Sequence, residues 1–71
     1  MEYTVILTPE PEGGFTITMP AFPEYVGFAE DEEKALALAK QGILFEVERL
    51  RDAGQRPPRE AGPPKIVRVA A

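Results

Sequence analysis

Cysteine, histidine and serine are all absent from this sequence. Without cysteine, neither a disulfide nor a thiolate metal site is available to stabilise a small core. Without histidine and serine, the Ser-His-Asp triad, the Cys-His pair and imidazole acid-base or metal chemistry are excluded. Carboxylates, lysine and tyrosine are the common catalytic groups that remain. We therefore expect no metal site and no cofactor.

Long apolar runs and a basic leader followed by an apolar stretch are also missing. A membrane-spanning helix needs about 18 or more predominantly apolar residues, and a secretory signal needs the basic-then-apolar pattern. Both absences predict a cytoplasmic protein. The 71 residues, 44% of them hydrophobic, allow a single compact domain. Eight prolines and the lack of asparagine, serine, cysteine and histidine are typical of thermophile proteins.

The first 33 residues of the chain contain no positively charged side chain. Residues 1–33 hold eight acids and no base, whereas residues 34–71 hold all eight bases and four acids, so the halves carry -8 and +4. The net charge of -4 argues against a nucleic-acid binder that relies on a basic surface. We therefore expect nucleic-acid binding to be unlikely for this domain alone.

Alternation of apolar and polar residues predicts four strands. Two of them, Tyr3 to Thr8 and Phe15 to Met19, flank Gly13-Gly14, a pair that supplies the positive φ values of a hairpin turn. A short third strand is predicted over Tyr25 to Phe28, and a last one over Lys65 to Val69.

One helix is predicted between the third and last strands, from Glu32 to Ala53. Asp31 has the side chain of an N-cap, and acids in the first turn suit the positive end of the helix dipole. Gly54 is the expected residue after the C-cap, and Pro57-Pro58 prevents the helix from resuming.

The fold class is therefore α+β, a two-layer β-β-β-α-β arrangement. A three-stranded antiparallel sheet gains a fourth strand at either edge, and one helix packs on one face through a spine of Ala35, Ala39 and Gly42. The single domain covers residues 1–71 and includes an extended, proline-rich tether at 54–64. The other sheet face would be lined by Thr4, Ile6, Thr8, Thr16 and Thr18.

Two apolar residues are left for contact with another subunit. Ile6 lies on the uncovered sheet face, and Leu44 lies opposite the helix spine. We expect a homo-oligomer, most simply a two-fold dimer, with Ile6 and Leu44 as contacts.

Three charged clusters have ordinary structural interpretations. The acids at 30–33 suit a helix start better than a metal site, because consecutive side chains there point in different directions. Basic residues late in the helix suit its negative end. Glu46 projects close to the spine, with Arg49 available as its partner at i+3.

A longer combination of motifs resembles the HicB-type antitoxin family. It consists of an acidic turn with Gly13-Gly14-Phe15, a second strand ending in Pro20-Ala21-Phe22-Pro23, and Glu32-Glu33-Lys34-Ala35-Leu36 opening a long Ala-Leu helix. The resemblance covers roughly residues 3 to 58. It departs from the family pattern at Glu24-Tyr25, where Gly-Cys is common, and at Ala29-Glu30-Asp31, where Gly-Asp-Thr is usual.

The resemblance implies a truncated RNase H-like fold without nuclease activity. Its implied role is to bind and neutralise a small basic HicA-type toxin that cleaves mRNA. The partner-binding residues expected on this basis are Glu10, Glu12, Glu30 and Glu33, in the half of the chain that carries -8. Many relatives carry a further operator-binding segment, whereas this chain stops at Ala71, so binding of operator DNA stays open.

Two alternatives stand beside the antitoxin interpretation. A solitary relative that has lost its toxin would act as an oligomeric binding or adaptor domain. A carboxylate-dependent nuclease would need acids that converge from different strands, and the predicted strand interiors contain none.

Overall fold

The computed structural model describes residues 2–71 and contains one sheet and one helix. The elements follow the order β1 (Ile6–Pro9), β2 (Phe15–Thr18), β3 (Val26–Ala29) and α1 (Glu32–Asp52). All neighbouring strands are antiparallel, in the order β1-β2-β3. The predicted α+β class and its three-stranded antiparallel sheet are confirmed. Residue 1 of the predicted domain lies outside the described residues.

Strand β1 begins three residues later than predicted. Ile6 pairs with Thr18, and continuing this register would place Pro20 opposite Thr4. Proline has no N–H to donate to a ladder, so regular pairing ends before Thr4. The residues ahead of β1 bond to a distant part of the chain instead.

Helix α1 has the predicted caps. The Asp31 side chain accepts a hydrogen bond of 2.8 Å from the Lys34 backbone N–H, which satisfies one of the free N–H groups at the helix start. Gly54 follows the C-cap with φ +74°, a conformation that glycine adopts without strain. The helix therefore begins and ends where its capping residues predict.

The small-residue spine of α1 packs on the sheet as predicted. Ala35 and Ala39 are buried against Ile17 in the centre of β2. A Cβ atom on Gly42 would lie 2.5 Å from Cε1 of Tyr25, so the missing side chain makes room for the tyrosine ring. The larger apolar residues beside the spine stay partly or largely exposed, since a three-stranded sheet is too narrow to cover both flanks of the helix. They include Leu36, Leu38 and Phe45.

The tether at 54–64 returns to the start of the sheet. Tyr3 Oη donates to the Pro58 carbonyl at 2.7 Å. Thr4 donates twice to the Glu60 carboxylate, from its backbone N–H at 2.5 Å and from its hydroxyl at 2.7 Å. We call the Thr4–Glu60 pair the clasp. The tether is therefore anchored to the residues ahead of β1.

The fourth strand predicted over 65–69 is not formed in the structure. These residues have no regular structure, and Ile66, Val67 and Val69 are 83%, 67% and 86% exposed. Gly62, with φ +152°, and the stiff Pro63-Pro64 pair precede the segment. Residues 65–69 therefore do not join the sheet as predicted.

Candidate partner-binding surface

The sheet face away from α1 is open. Pairing places Ile6, Thr18 and Val26 in one row across the strands, and Thr8, Thr16 and Phe28 in the next. This register confirms four of the five residues predicted for the face, Ile6, Thr8, Thr16 and Thr18, whereas Thr4 lies outside β1. The face also carries apolar side chains, because Val26 is 69% and Phe28 55% exposed. We call this surface the open face.

An acidic hairpin borders the open face. The Glu10 N–H donates to the Gly14 carbonyl and the Gly13 N–H to the Glu10 carbonyl, both at 3.0 Å. Gly13 and Gly14 have φ of +102° and +80°, so both glycines are required by the turn. The Thr16 hydroxyl on β2 donates to the Glu10 carboxylate at 2.8 Å. One of the two hairpin carboxylates is therefore held beside the open face.

The ring of Phe28 lies between two groups of charged residues. On one side it shares a depression of about 440 Å³ with Glu10, Glu12 and Thr16. On the other side it shares a second depression with Glu30 and Lys34. Three of the four acids expected to bind a partner therefore line the two depressions that share Phe28. We call this group, Glu10, Glu12, Phe28 and Glu30, the acidic patch.

The three acids of the patch differ in their own partners. Lys34 Nζ lies 3.5 Å from Glu30 and 4.0 Å from Asp31, with all three side chains well exposed. Surface pairs of this kind contribute about 0–1 kcal/mol, so Glu30 is only weakly engaged. The Glu10 carboxylate accepts from Thr16 alone among the described hydrogen bonds. The hairpin thus supplies the least neutralised negative charge of the patch.

The remaining predicted contact residues lie apart from the acidic patch. Glu33 is exposed in the first turn of α1 and lines neither depression beside Phe28. Ile6 is half-buried on the open face. Leu44 is 53% exposed on α1, in the other layer. The structure therefore does not bring the two expected oligomer contacts into one flat surface.

Phe28 is the member of this surface that sequence reasoning missed. The short third strand was predicted, but its register relative to β2 was not, so the face that Phe28 occupies was undetermined. The signal was present in the neighbouring glycine: with Gly27 on the helix side of β3, the large side chains Val26 and Phe28 fall on the opposite side.

A second cleft lies between α1 and the segment 21–24. It encloses about 330 Å³ and is lined by apolar side chains and by charges of both signs, Glu24, Glu46, Arg49 and Arg56. The predicted Glu46–Arg49 pair is confirmed, with Nη2 of Arg49 2.8 Å from Oε1 of Glu46. This hydrogen bond and the charge of Glu46 raise the pKa of Arg49. The cleft thus lacks the single sign of charge found at the acidic patch.

The chemistry available at these surfaces is recognition of positive charge. The strands β1, β2 and β3 contain no acidic residue, so no carboxylates converge from neighbouring strands. Within residues 2–71, no group of three metal-ligating side chains is close enough to hold an ion. Carboxylates around an exposed ring offer ion pairs and a cation–π contact to a lysine or arginine of a partner.

A helix long and apolar enough to cross a membrane does not occur in residues 2–71. The fold and surface define a small two-layer α+β protein with an acidic patch on an open sheet face. The chain is 30% identical over 60 residues to the UPF0150 protein Ta0767 of Thermoplasma acidophilum, an alignment that covers 84% of this chain and 87% of the relative. The chain belongs to the UPF0150 family. No family model and no solved structure matches it.

Proposed function

We propose that this protein is a non-catalytic, antitoxin-like protein that binds and neutralises a small basic HicA-type toxin that cleaves mRNA. The observation that carries the proposal is the acidic patch: Glu10, Glu12 and Glu30 line the two depressions that share the exposed Phe28. The N-terminal half to which they belong contains no base.

Electrostatics explains why such a patch suits such a partner. A protein that cleaves RNA binds phosphates through a positive surface. A negative surface that covers this region competes with the RNA and also raises the rate of encounter. Phe28 supplies apolar area at the centre of the charges, and buried aromatic anchors carry much of the binding energy in protein interfaces.

Membership of the UPF0150 family supports the same proposal. UPF0150 is a family associated with HicB-like antitoxins, and the motifs around Gly13-Gly14-Phe15 and the start of α1 resemble that group. The observed β-β-β-α order is compatible with a truncated RNase H-like fold. We therefore include a truncated RNase H-like fold in the proposal. Residues 65–69 supply its fourth strand when they pair with an edge of the sheet.

The absence of catalysis is the second part of the proposal. The chain has no histidine, cysteine or serine, and its strands carry no acids. A nuclease on this scaffold would need carboxylates positioned by rigid elements. Incubation of the purified protein with RNA and DNA, with and without magnesium or manganese, is expected to leave both intact. Cleavage that is lost in Glu10→Gln or another Glu→Gln variant would overturn this part.

The binding site is tested by charge reversal in the hairpin. Glu10→Lys/Glu12→Lys is expected to abolish the ability of the protein to rescue growth when a HicA-type toxin is co-expressed. The matched control is Glu48→Lys/Asp52→Lys, which makes the same change in net charge on exposed positions of α1. This control is expected to rescue growth fully. Circular dichroism checks that both variants remain folded.

Each outcome of the growth assay has a distinct meaning. Full rescue by the hairpin variant would show that the acidic patch is not the toxin-binding site. Loss of rescue by both variants would assign the effect to net charge rather than to the patch. A wild-type protein that captures no toxin would favour the solitary oligomeric binding domain over the antitoxin.

A further inference from the structure

The segment Lys65–Val69 has the pattern of a strand but no strand to pair with. Ile66, Val67 and Val69 are the most exposed large apolar side chains on this segment, at 83%, 67% and 86%. Val67 and Val69 project to one side of an extended chain, and Ile66 and Arg68 to the other. We call residues 65–69 the arm. Its apolar area is open to water in a single copy of the chain.

A site that fits the arm exists beside β1. Strand β1 is an edge of the sheet, so its outer N–H and C=O groups have no neighbouring strand. Next to this edge, on the helix side, an apolar groove of about 310 Å³ is lined by Val5, Leu36, Ile43 and Leu44 among others. At four residues, β1 is close in length to the five-residue arm.

In this structure the arm does not occupy the groove, because residues 65–69 have no regular structure and Ile66, Val67 and Val69 stay exposed. The clasp fixes Glu60 at Thr4. The following residues, Ala61 and Gly62, line a depression together with Pro20 and Ala21, which follow β2 in the chain. Pro63-Pro64 is a stiff spacer between this depression and the arm. The arm beyond it is exposed and open to contact with another molecule.

We propose that the arm of one copy pairs with the β1 edge of a second copy, and that two copies exchange arms around a two-fold axis. With Val67 and Val69 turned toward the groove, Leu36 and Leu44 become covered. Ile66 and Arg68 then lie on the open face, where Ile66 adjoins Ile6 and the charge of Arg68 approaches the acidic hairpin. Strand addition of this kind derives affinity from main-chain hydrogen bonds and specificity from alternate side chains.

The exchange accounts for both predicted oligomer contacts. Ile6 and Leu44 lie in different layers and form no common flat surface, but they flank the β1 edge from its two sides. A strand added at this edge contacts both. The inference is independent of the proposed toxin, because it concerns only copies of this chain.

The lack of cysteine in the chain allows a clean crosslinking test. One copy carries Leu36→Cys in the groove, and the other carries Val69→Cys in the arm. Mixing the two under mild oxidation is expected to give a disulfide-linked heterodimer. Gln41→Cys, on the opposite flank of α1, replaces Leu36→Cys as the matched control and is expected to give little heterodimer. Equal yields from groove and control would overturn the proposal.

The double variant Leu36→Cys/Val69→Cys separates exchange from self-pairing. Exchange is expected to give covalent dimers on a non-reducing denaturing gel. A disulfide within one chain, at a mass of 7.8 kDa, would show that the arm is the fourth strand of its own sheet and would overturn the exchange.

Sedimentation of the cysteine-free chain supplies an independent measurement. At micromolar concentration we expect a mass of twice 7.8 kDa. Val67→Asp/Val69→Asp is expected to return the mass to that of one chain while the fold is kept, since both side chains are exposed in a single copy. The matched control Ala70→Asp/Ala71→Asp adds the same charge beyond the arm and is expected to remain dimeric. A wild-type monomer, or a dimer unaffected by the Val67 and Val69 changes, would refute the arm exchange.

Discussion

The ring of Phe28 lies directly over the backbone of Gly14. A Cβ atom on Gly14 would be 2.5 Å from Cζ of Phe28 and 2.9 Å from the Ala29 carbonyl oxygen. The glycine thus serves the turn through its φ of +80° and also admits the ring that forms the centre of the acidic patch. The hairpin and β3 are joined at this contact.

Gly14→Ala is therefore expected to destabilise the protein more than Gly13→Ala. Both positions have positive φ, which costs a non-glycine residue about 1–2 kcal/mol. Only Gly14 has neighbours that an added Cβ would meet, since nothing lies within 4 Å at Gly13. In urea unfolding, the free energy of unfolding should fall by about 1 kcal/mol or more beyond the fall for Gly13→Ala when Gly14 is replaced by alanine. Equal losses would mean that the ring moves aside without cost.

The clasp predicts that replacing Thr4 lowers the stability of the protein more than replacing Thr8. Thr4→Val removes the hydroxyl that donates to Glu60, and hydrogen bonds to charged groups contribute about 1.5–3 kcal/mol. Because the pair is only part-buried, we expect a loss of stability below this range, about 1 kcal/mol. Thr8→Val is the control, since Thr8 is exposed on β1 and should change stability by less than about 0.5 kcal/mol. Thermal unfolding that fails to separate the two variants would show that the clasp adds no stability.

Gly42→Ala sets two effects against each other. Alanine is favoured over glycine inside a helix by about 1 kcal/mol, but the new methyl group would lie 2.5 Å from the Tyr25 ring. Tyr25 packs against the core, so we expect the clash to prevail and the variant to lose about 1–2 kcal/mol. In the Tyr25→Leu background the same change should become neutral or stabilising. A stabilised single variant would indicate that the ring relocates freely.

If a partner binds through the acidic patch, the association rate should depend on salt and the dissociation rate on the Phe28 ring. Association with a basic partner should slow as ionic strength rises, because the Debye length shortens to about 8 Å at physiological salt. Phe28→Ala should weaken binding mainly through faster dissociation, while association keeps its salt dependence. Surface plasmon resonance at two salt concentrations measures both rates. An association rate that does not respond to salt would exclude electrostatic steering by the patch.

Much of the architecture follows from local signals in the sequence. Alternation located the three strands to within three residues. Asp31 and Gly54 marked the ends of α1 because capping depends only on residues nearby in the chain. The alanine spine predicted which side of the helix is buried, since helical periodicity is itself a local property.

Long-range relationships were harder to predict. The clasp joins Thr4 to a residue 56 positions away, and nothing in the neighbourhood of Glu60 marks it as a partner of β1. The position of Phe28 beside Glu10 and Glu30 depends on the register between β2 and β3, which a four-residue strand does not specify alone. The alternation at 65–69 predicted a fourth strand that the structure does not form, because alternation alone does not specify a neighbouring strand with which the segment pairs.

Because of the clasp, the Thr4 amide does not depend on opening of the sheet for its hydrogen exchange. The Thr4 N–H donates to a side chain on the tether and not to a neighbouring strand. Its protection from hydrogen exchange is therefore governed by the opening of the tether, whereas amides bonded within β1 and β2 require the sheet itself to open. Hydrogen exchange of the Thr4 amide thus reports a local equilibrium. It measures the fraction of time for which the tether, with the arm beyond it, is detached while the sheet and helix remain folded.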